Sequence, residues 1–390
     1  MKKIYYKIAI YSILFITILV WQTWTTQWMQ KSVEQDINAF IERKWRHLRE
    51  DILDKALSIV DNHPSIQQST KELLINVLEE KLGVYTNGEQ SLLQHLWLRT
   101  DTSIRAIALE DILDWGPWKD GIPSLSFPWF VSQLDAENEW YVRDELEGIV
   151  LKSTDGTDSR FYPFSILNWH EIVNDVVWDI PVAITYCPLC GTAIVYDRRI
   201  DTTVLEFGVS WLLYQSNLLM YDDATETLWS QAYGEWVVGT YTDYQLKYIQ
   251  SQQMNYKDFT EAYPNWKVMS NQTWYQRDYR LWSPYLWYES SDALYFPVHW
   301  RDRSIDSKRR MIVINDSRWF SAAFDRKDLL ISKFASIPIS DQITLTAYVD
   351  DDGRISIEDW HHELPHFVEM WFSRSARNQW SDLRRNTTMQ

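Results

Sequence analysis

The two cysteines of the 390-residue chain stand three positions apart, in the run Cys187-Pro188-Leu189-Cys190-Gly191. Two β-like runs, Val182 to Tyr186 and Thr192 to Tyr196, flank this segment, so we expect it to form the turn of a hairpin. Two thiolates one turn apart can chelate one metal ion, and a following glycine lets backbone N–H groups face the sulfurs. The sequence therefore suggests a metal-binding turn.

A C-P-x-C-G turn between strands is similar to the metal knuckle of rubredoxins and zinc ribbons. A tetrahedral structural site normally takes two such knuckles, and this chain has one. His170, which lies 17 residues before Cys187, and the thioether of Met220 are the candidate additional ligands. This ligand set suits copper as well as zinc. A buried histidine bonded to backbone and a core methionine are the alternative interpretations of the two residues.

Five residues next to these motifs are candidates for a pocket wall or for contacts that support the ligands. Each was chosen because it lies close to one of these motifs in the sequence. For the aromatic residues, ordinary core packing is the alternative interpretation. These candidates are Trp169, Glu171, Tyr186, Trp229 and Gln231.

Two other chemistries compete with metal binding. A C-x-x-C pair can cycle as a thiol–disulfide oxidoreductase, although the residues after Cys190 favour a strand and not the helix of thioredoxin-like sites. The pair can also form a structural disulfide in a non-catalytic domain that binds an envelope protein or glycan. A zinc deaminase is excluded because Glu171 directly follows His170, whereas that pattern needs H-x-E.

Composition excludes further classes. The chain has 38 Lys plus Arg against 54 Asp plus Glu, a net charge of −16, which argues against a general nucleic-acid binder. Its 45% hydrophobic and 24% charged residues are typical of a globular protein. The 23 Trp and 22 Tyr predict an aromatic-rich core.

The N-terminus predicts a membrane anchor. Lys2, Lys3 and Lys7 precede an uncharged run from Ile8 to Trp24, and tryptophans follow at its far end. A small-residue cleavage site is missing after the run, so residues 1–30 are interpreted as a signal anchor. The positive-inside rule then places the C-terminal domain outside the cytoplasm of a single-pass membrane protein.

The rest of the chain divides into regions that differ in their sequence patterns. Apolar residues at helical spacing predict a helical membrane-proximal segment over residues 31–114. Turn-type clusters and short apolar runs predict a β-rich core domain over residues 115–375, followed by a tail at 376–390. The predicted fold class is α+β, a mainly β core of two related halves after a transmembrane helix and a helical segment.

The two halves are predicted from a weak internal repeat, about residues 148–200 and 310–359. Tyr186 and Tyr348 are separated by 162 positions, and so are Gly191 and Gly353. Each half should contain a hairpin whose turn ends in a glycine at positive φ. The second half has Val349-Asp350-Asp351-Asp352 where the first has the cysteines, so the fold itself should not require the thiols.

A series of linked motifs runs through the predicted core domain. They include Asp120-Gly121-Ile122-Pro123, Asn168-Trp169-His170-Glu171, Thr185-Tyr186-Cys187-Pro188-Leu189-Cys190, Phe207-Gly208-Val209-Ser210, Leu228-Trp229-Ser230-Gln231 and Tyr295-Phe296-Pro297-Val298. Over roughly residues 115–375 this series resembles a bacterial and archaeal family known as domain of unknown function 3179. The resemblance implies an extracytoplasmic globular domain and supplies no activity. It also implies a small glycine where this chain has Trp211, so a pocket at that position would be partly filled here.

Overall fold

A computed structural model describes residues 98–114, 119–153, 158–263, 266–280, 283–299, 302–314, 322–359, 362–377 and 384–385. They lie in one compact unit, Glu89–Gln390. This part of the chain is mainly β-sheet with few, short helices, an α+β fold as the sequence predicts. The predicted anchor over residues 1–30 lies outside the described residues. Among the residues described, no helix is long and apolar enough to cross a membrane.

The strands are short, and most lie in antiparallel pairs. In chain order they are β1 (Ile112–Asp114), β2 (Leu125–Ser126), β3 (Phe130–Ser132), β4 (Glu147–Lys152), β5 (Ser159–Pro163), β6 (Ile172–Val177), β7 (Ile180–Cys187), β8 (Thr192–Asp197), β9 (Arg199–Ile200), β10 (Thr203–Val204), β11 (Phe207–Tyr214), β12 (Asn217–Asp222), β13 (Leu228–Ser230), β14 (Trp236–Val238), β15 (Tyr248–Ile249), β16 (Gln252–Asn255), β17 (Lys267–Met269), β18 (Arg310–Ile314), β19 (Ala322–Asp325), β20 (Phe334–Ser340), β21 (Ile343–Val349), β22 (Ile355–Glu358), β23 (His366–Met370) and β24 (Arg384–Arg385).

The helices are placed between strands, and three of those described begin at polar capping residues. Ser132, Asn255 and Asp325 each accept a hydrogen bond from the backbone N–H three residues ahead, which satisfies one of the exposed donors of the first turn. The α-helices are α1 (Gln133–Asn138), α2 (Phe164–His170), α3 (Tyr256–Ala262), α4 (Leu286–Glu289), α5 (Arg326–Ser332) and α6 (Trp371–Arg377), and a 3₁₀-helix spans Leu109–Asp111.

The described strands form sheets that surround three hydrophobic cores and a smaller fourth one. Strands β6, β7, β8, β11 and β12 are buried on both faces, which explains their nearly continuous apolar sequences. The strand orders are β1-β11-β12-β13-β14, β15-β8-β7-β6-β2, β16-β4-β5-β17-β3, β23-β18-β19-β24, β20-β21-β22 and β10-β9.

The β-rich core begins earlier than the predicted boundary at residue 115. Strand β1 pairs with β11, and Leu98, Leu109 and Ile112 pack into the same small core as residues of β11 and β12. The prediction of helix was therefore wrong for residues 98–114, because pairing with β11 overrides a spacing that also suits a helix. The remainder of the predicted helical segment lies outside the described residues.

Both predicted halves contain the same order of elements. The first runs β4-β5-α2-β6-β7-β8 and the second runs β18-β19-α5-β20-β21-β22. Helices α2 and α5 each end at a residue with positive φ, Glu171 at 57° and Lys333 at 63°. The hairpin glycines also match, with φ of 62° at Gly191 and 76° at Gly353. A duplication of one ancestral unit stays a prediction that this shared order supports.

Candidate functional site

The two cysteines lie at the closed end of the β7–β8 hairpin, as the flanking sequences predict. Cys187 is paired with Thr192 in the antiparallel ladder, and the turn between them is completed by Gly191 at positive φ. Both cysteines are thiols with 1% and 0% of their surface exposed. The backbone N–H of Met370, the last residue of β23, donates to the carbonyl oxygen of Cys190 at 2.8 Å. The turn is therefore fixed in the protein interior.

Each sulfur faces an N–H group from one of two consecutive residues of β12. Asn217 Nδ2 lies 3.0 Å from Cys190 Sγ and donates to it. The backbone amide of Leu218, the next residue, acts to lower the pKa of Cys187. The amide orientation of Asn217 is fixed because its Oδ1 accepts from the backbone N–H of Ala232 at 3.1 Å. Strand β12 thus presents a pair of aligned donors to the thiols.

Gln231 extends this polar network behind Cys190. Its Oε1 accepts from Asn217 Nδ2 at 3.0 Å and from Thr192 Oγ1 at 2.6 Å. Its Nε2 donates to Thr185 Oγ1 and to the carbonyl oxygen of Thr192, at 2.9 and 3.3 Å. Thr192 Oγ1 also lies 3.0 Å from Cys190 Sγ. Because all these groups are buried and mutually bonded, the network holds the sulfur in one position.

Glu171 is a fully buried carboxyl group beside the same turn. It accepts a hydrogen bond from Tyr285 at 3.0 Å between Oε1 and the phenol oxygen. Burial raises the pKa of Glu171 to about 8, the Tyr285 bond opposes the rise, and the nearby Cys190 sulfur adds to it. Glu171 therefore carries a proton at neutral pH and interacts electrostatically with the thiol pair.

The thiols themselves are hard to ionise without a compensating charge. Burial is the main cause that raises the pKa of Cys187, and the neighbouring Cys190 and Glu171 raise it further. The amide of Leu218 acts in the opposite direction. A thiolate pair in this setting would gain stability from a cation bound between the sulfurs.

His170 lies at the end of α2 and is directed away from this network. Its Nδ1 lies 2.7 Å from the carbonyl oxygen of Pro123 and therefore carries the proton, so Nε2 accepts from the Tyr279 hydroxyl at 2.7 Å. Burial lowers the pKa of His170 to about 4, with a further lowering by Arg277. Coordination of a metal would require His170 to give up one of these bonds.

The other predicted site residues occupy different surroundings. Met220 and Trp229 share a hydrophobic core with the cysteines, and the Trp229 indole donates to Asp222 at 2.9 Å. Tyr186 faces the opposite core, where its ring stacks on Phe164 with centroids 4.0 Å apart. Trp169 is half-buried under the guanidinium of Arg277. The structure thus brings Glu171 and Gln231 to the thiols, and places Tyr186 on the other face of β7.

Over the described residues, no group of three or more His, Cys, Asp or Glu side chains is arranged to hold a metal ion. The residues that contribute most to the site besides the thiols were not among the sequence predictions. Asn217, Leu218 and Thr192 lie on strands that meet only after folding, and Tyr285 lies 98 positions after Cys187. Asn217 and Tyr285 carry no sequence motif that links them to the cysteines or to Glu171.

A family sequence profile matches residues 119–380 of the chain, which is most of its length. The chain belongs to the DUF3179 family, a protein family of unknown function. Neither the curated proteins nor the solved structures contain a significant match to it. The matched region of this DUF3179 member contains the β7–β8 hairpin, Glu171 and the network around Asn217.

Trp211 occupies a backbone position that would suit a glycine. It has φ of 64° at an irregularity of the β11–β12 ladder, a conformation that glycine adopts without strain and a bulky residue adopts at a cost. Its half-buried ring packs against the core that contains the thiols. Trp211 therefore fills space beside this core that a glycine would leave open.

Proposed function

We propose that this DUF3179 domain binds one copper or zinc ion through the sulfurs of Cys187 and Cys190. The observation that carries the proposal is the Asn217 Nδ2 donor, which lies 3.0 Å from Cys190 Sγ. The Leu218 amide acts in the same direction on the other thiol by lowering the pKa of Cys187. Hydrogen bonds of this kind stabilise the negative charge of metal-bound thiolates and orient the ligands. A disulfide, whose sulfurs are uncharged, would gain little from them.

Copper(I) is the ion that the surroundings favour. Thiolates and thioethers select copper(I), and Met220 lies in the same hydrophobic core as the two thiols. A buried copper(I) bound by two thiolates leaves a single net negative charge, which the aligned N–H donors offset. Glu171 would support the site in its protonated form, since a second negative charge beside the sulfurs is disfavoured.

The proposal is tested by titrating the reduced full-length chain anaerobically with copper(I), and separately with zinc(II), against a chromophoric chelator. We expect one equivalent of ion per chain, with copper(I) bound more tightly than zinc. The Cys187→Ser/Cys190→Ser and Cys187→Ala/Cys190→Ala variants should bind neither ion while keeping their near-UV circular dichroism. Equal binding by the wild type and both variants would contradict the proposal.

The proposed location is the outer face of the cell membrane, to which residues 1–30 anchor the chain. The positive residues before the apolar run support this orientation. An alkaline phosphatase fused after Met29 should be active, because that enzyme folds only where disulfides form. An inactive fusion would overturn the orientation.

A further inference from the structure

A small cavity bordered by exposed aromatic rings lies in a different part of the domain from the thiol pair. It has a volume of about 210 Å³ and is formed by the segment between β2 and β3 together with the segment that follows β17. Phe127, Trp129 and Trp274 border it, with 64%, 62% and 87% of their surfaces exposed. Contiguous exposed aromatic surface of this kind marks a binding site more often than a solvent-facing wall.

The backbone around the cavity is held in place before any ligand arrives. Strand β17 pairs with β3, and the Ser270 N–H donates to the Trp129 carbonyl oxygen at 2.8 Å. Phe127 has φ of 53°, an uncommon conformation for an aromatic residue, and its N–H donates to the Asn174 carbonyl oxygen at 2.9 Å. Strained residues held by their surroundings are typical of binding sites.

The two tryptophan rings meet at an angle and do not cover each other. The ring centroids of Trp129 and Trp274 lie 6.2 Å apart with an interplanar angle of 72°. This edge-on contact leaves a ring face of Trp274 open to solvent. An open aromatic face is a platform on which a ligand with an apolar surface can stack.

The cavity offers hydrogen bonds but no charge. Every side chain that lines it is uncharged, and Gln272 supplies an exposed side-chain amide. The hydroxyls of Ser126 and Thr273 already bond Glu206 and the Tyr275 backbone. A charged ligand would lose its hydration here without gaining an opposite charge, so the favoured ligand is neutral. The side-chain amide of Gln272 needs a partner once water is displaced, which favours a ligand that carries hydroxyl groups.

We propose that this cavity binds one ring of a neutral oligosaccharide, with the next ring stacked on Trp274. A sugar ring combines an apolar face of C–H groups with a rim of hydroxyls, which matches tryptophan faces beside serine, threonine and glutamine side chains. The cavity volume suits a single ring, and the exposed face of Trp274 suits continuation of the chain. This site is independent of the metal proposal.

The test uses saturation-transfer NMR on the full-length chain with cellotetraose, chitotetraose and maltotetraose as probes. Fluorescence would not isolate one ring among 23 tryptophans. The detergent must carry no sugar headgroup, because a glycosidic detergent would compete for the cavity. We expect at least one probe to bind, and Trp274→Ala and Gln272→Ala to weaken it by about tenfold or more.

Trp140 provides the matched control, because it is 79% exposed and does not line the cavity. Trp140→Ala should leave oligosaccharide binding unchanged. The proposal is overturned if none of the three probes binds, or if Trp140→Ala weakens binding as much as Trp274→Ala. It is also overturned if Trp274→Ala reduces binding to phosphatidylcholine vesicles while no probe binds, since the rings would then contact lipid.

Discussion

Asn217 Nδ2 donates a hydrogen bond to Cys190 Sγ across 3.0 Å, and the next residue along β12 presents its backbone amide to the other sulfur. The β7–β8 hairpin and strand β12 are separate in the sequence, and two consecutive residues of β12 are thereby matched to the two cysteines of the hairpin. The arrangement distinguishes this buried pair of cysteines from two thiols that merely fill a core, since apolar packing alone would not require donors at the sulfurs.

The Asn217 donor should contribute directly to metal affinity. Asn217→Ala removes the N–H group from Cys190 Sγ, and loss of a supporting hydrogen bond to a ligand typically weakens metal binding by about 10- to 100-fold. Copper(I) affinity measured by chelator competition should fall within that range. Ser216→Ala is the control, because the Ser216 hydroxyl has no hydrogen-bond partner among the residues described. Equal losses of copper(I) affinity in the two variants would show that the Asn217 donor has no specific role in metal binding.

Glu171 should make the stability of the reduced, metal-free protein depend on pH. Burial raises the pKa of Glu171 to about 8, so the folded state holds a proton that the unfolded state releases near its ordinary pKa of 4.5. Stability from this group is complete below about pH 4.5 and is lost as the pH rises through about 8.

The change can be followed by urea unfolding at several pH values. Between about pH 6 and about pH 8 the free energy of unfolding should fall by about 2 kcal/mol through Glu171. Glu171→Gln keeps the shape of the side chain and cannot release a proton, so this part of the slope should disappear. An identical slope in wild type and variant would show that Glu171 does not titrate in this range.

The β7–β8 hairpin and His170 show how much of the site could be predicted from the sequence. Alternating and continuous apolar runs around residues 187–191 were enough to predict two strands and a glycine turn, because local propensity and tertiary structure agree there. His170 was predicted as a candidate ligand of the same site. The direction of its side chain was not predicted, because its partners Pro123 and Tyr279 lie 47 and 109 positions away.

The same reasoning explains the error at residues 98–114 and the residues that were missed. The spacing of apolar residues near Leu109 and Ile112 suits a helix, but β1 pairs with β11 instead. That pairing cannot be identified from the local sequence. Asn217 and Tyr285 carry no motif of their own, so only the folded arrangement connects them to the cysteines and Glu171. Family resemblance identified the domain but carried no information about chemistry.

Loss of the His170 imidazole should leave metal binding intact. Both ring nitrogens already have partners, Pro123 and Tyr279, so the variant His170→Gln should still bind one equivalent of copper(I). Some loss of stability is expected, because buried partners lose a hydrogen bond at a cost of about 1–3 kcal/mol. The stoichiometry of copper titration checks this, and a variant that is folded but cannot bind copper would establish His170 as a ligand.

A half-buried ion-pair cluster joins the first strands of the two predicted halves. Glu147 of β4 pairs with Arg310 of β18 and, at 2.7 Å, with Arg326 of α5. Burial alone would raise the pKa of Glu147, but the two arginine charges outweigh it and lower the pKa to about 2. The stability from this carboxylate is present above its ordinary pKa of 4.5 and is lost as the pH falls towards 2.

Glu147→Gln should therefore destabilise the domain by about 3 kcal/mol at neutral pH, because it leaves buried arginine charge without its partner. Thermal or urea unfolding measures the loss. Glu145→Gln, at an exposed carboxylate two residues earlier, should change stability by no more than about 0.5 kcal/mol. A Glu147→Gln effect as small as that of the control would mean that the cluster does not hold the two halves together.

The central claim is tested most directly by measuring metal and thiols in one sample of the full-length chain, expressed and purified from its native compartment. Inductively coupled plasma mass spectrometry gives the metal content, and alkylation with mass analysis gives the state of Cys187 and Cys190. We predict one equivalent of copper or zinc, two reduced cysteines, and no metal in Cys187→Ser/Cys190→Ser. A metal-free chain whose two cysteines are joined in a disulfide would contradict the account.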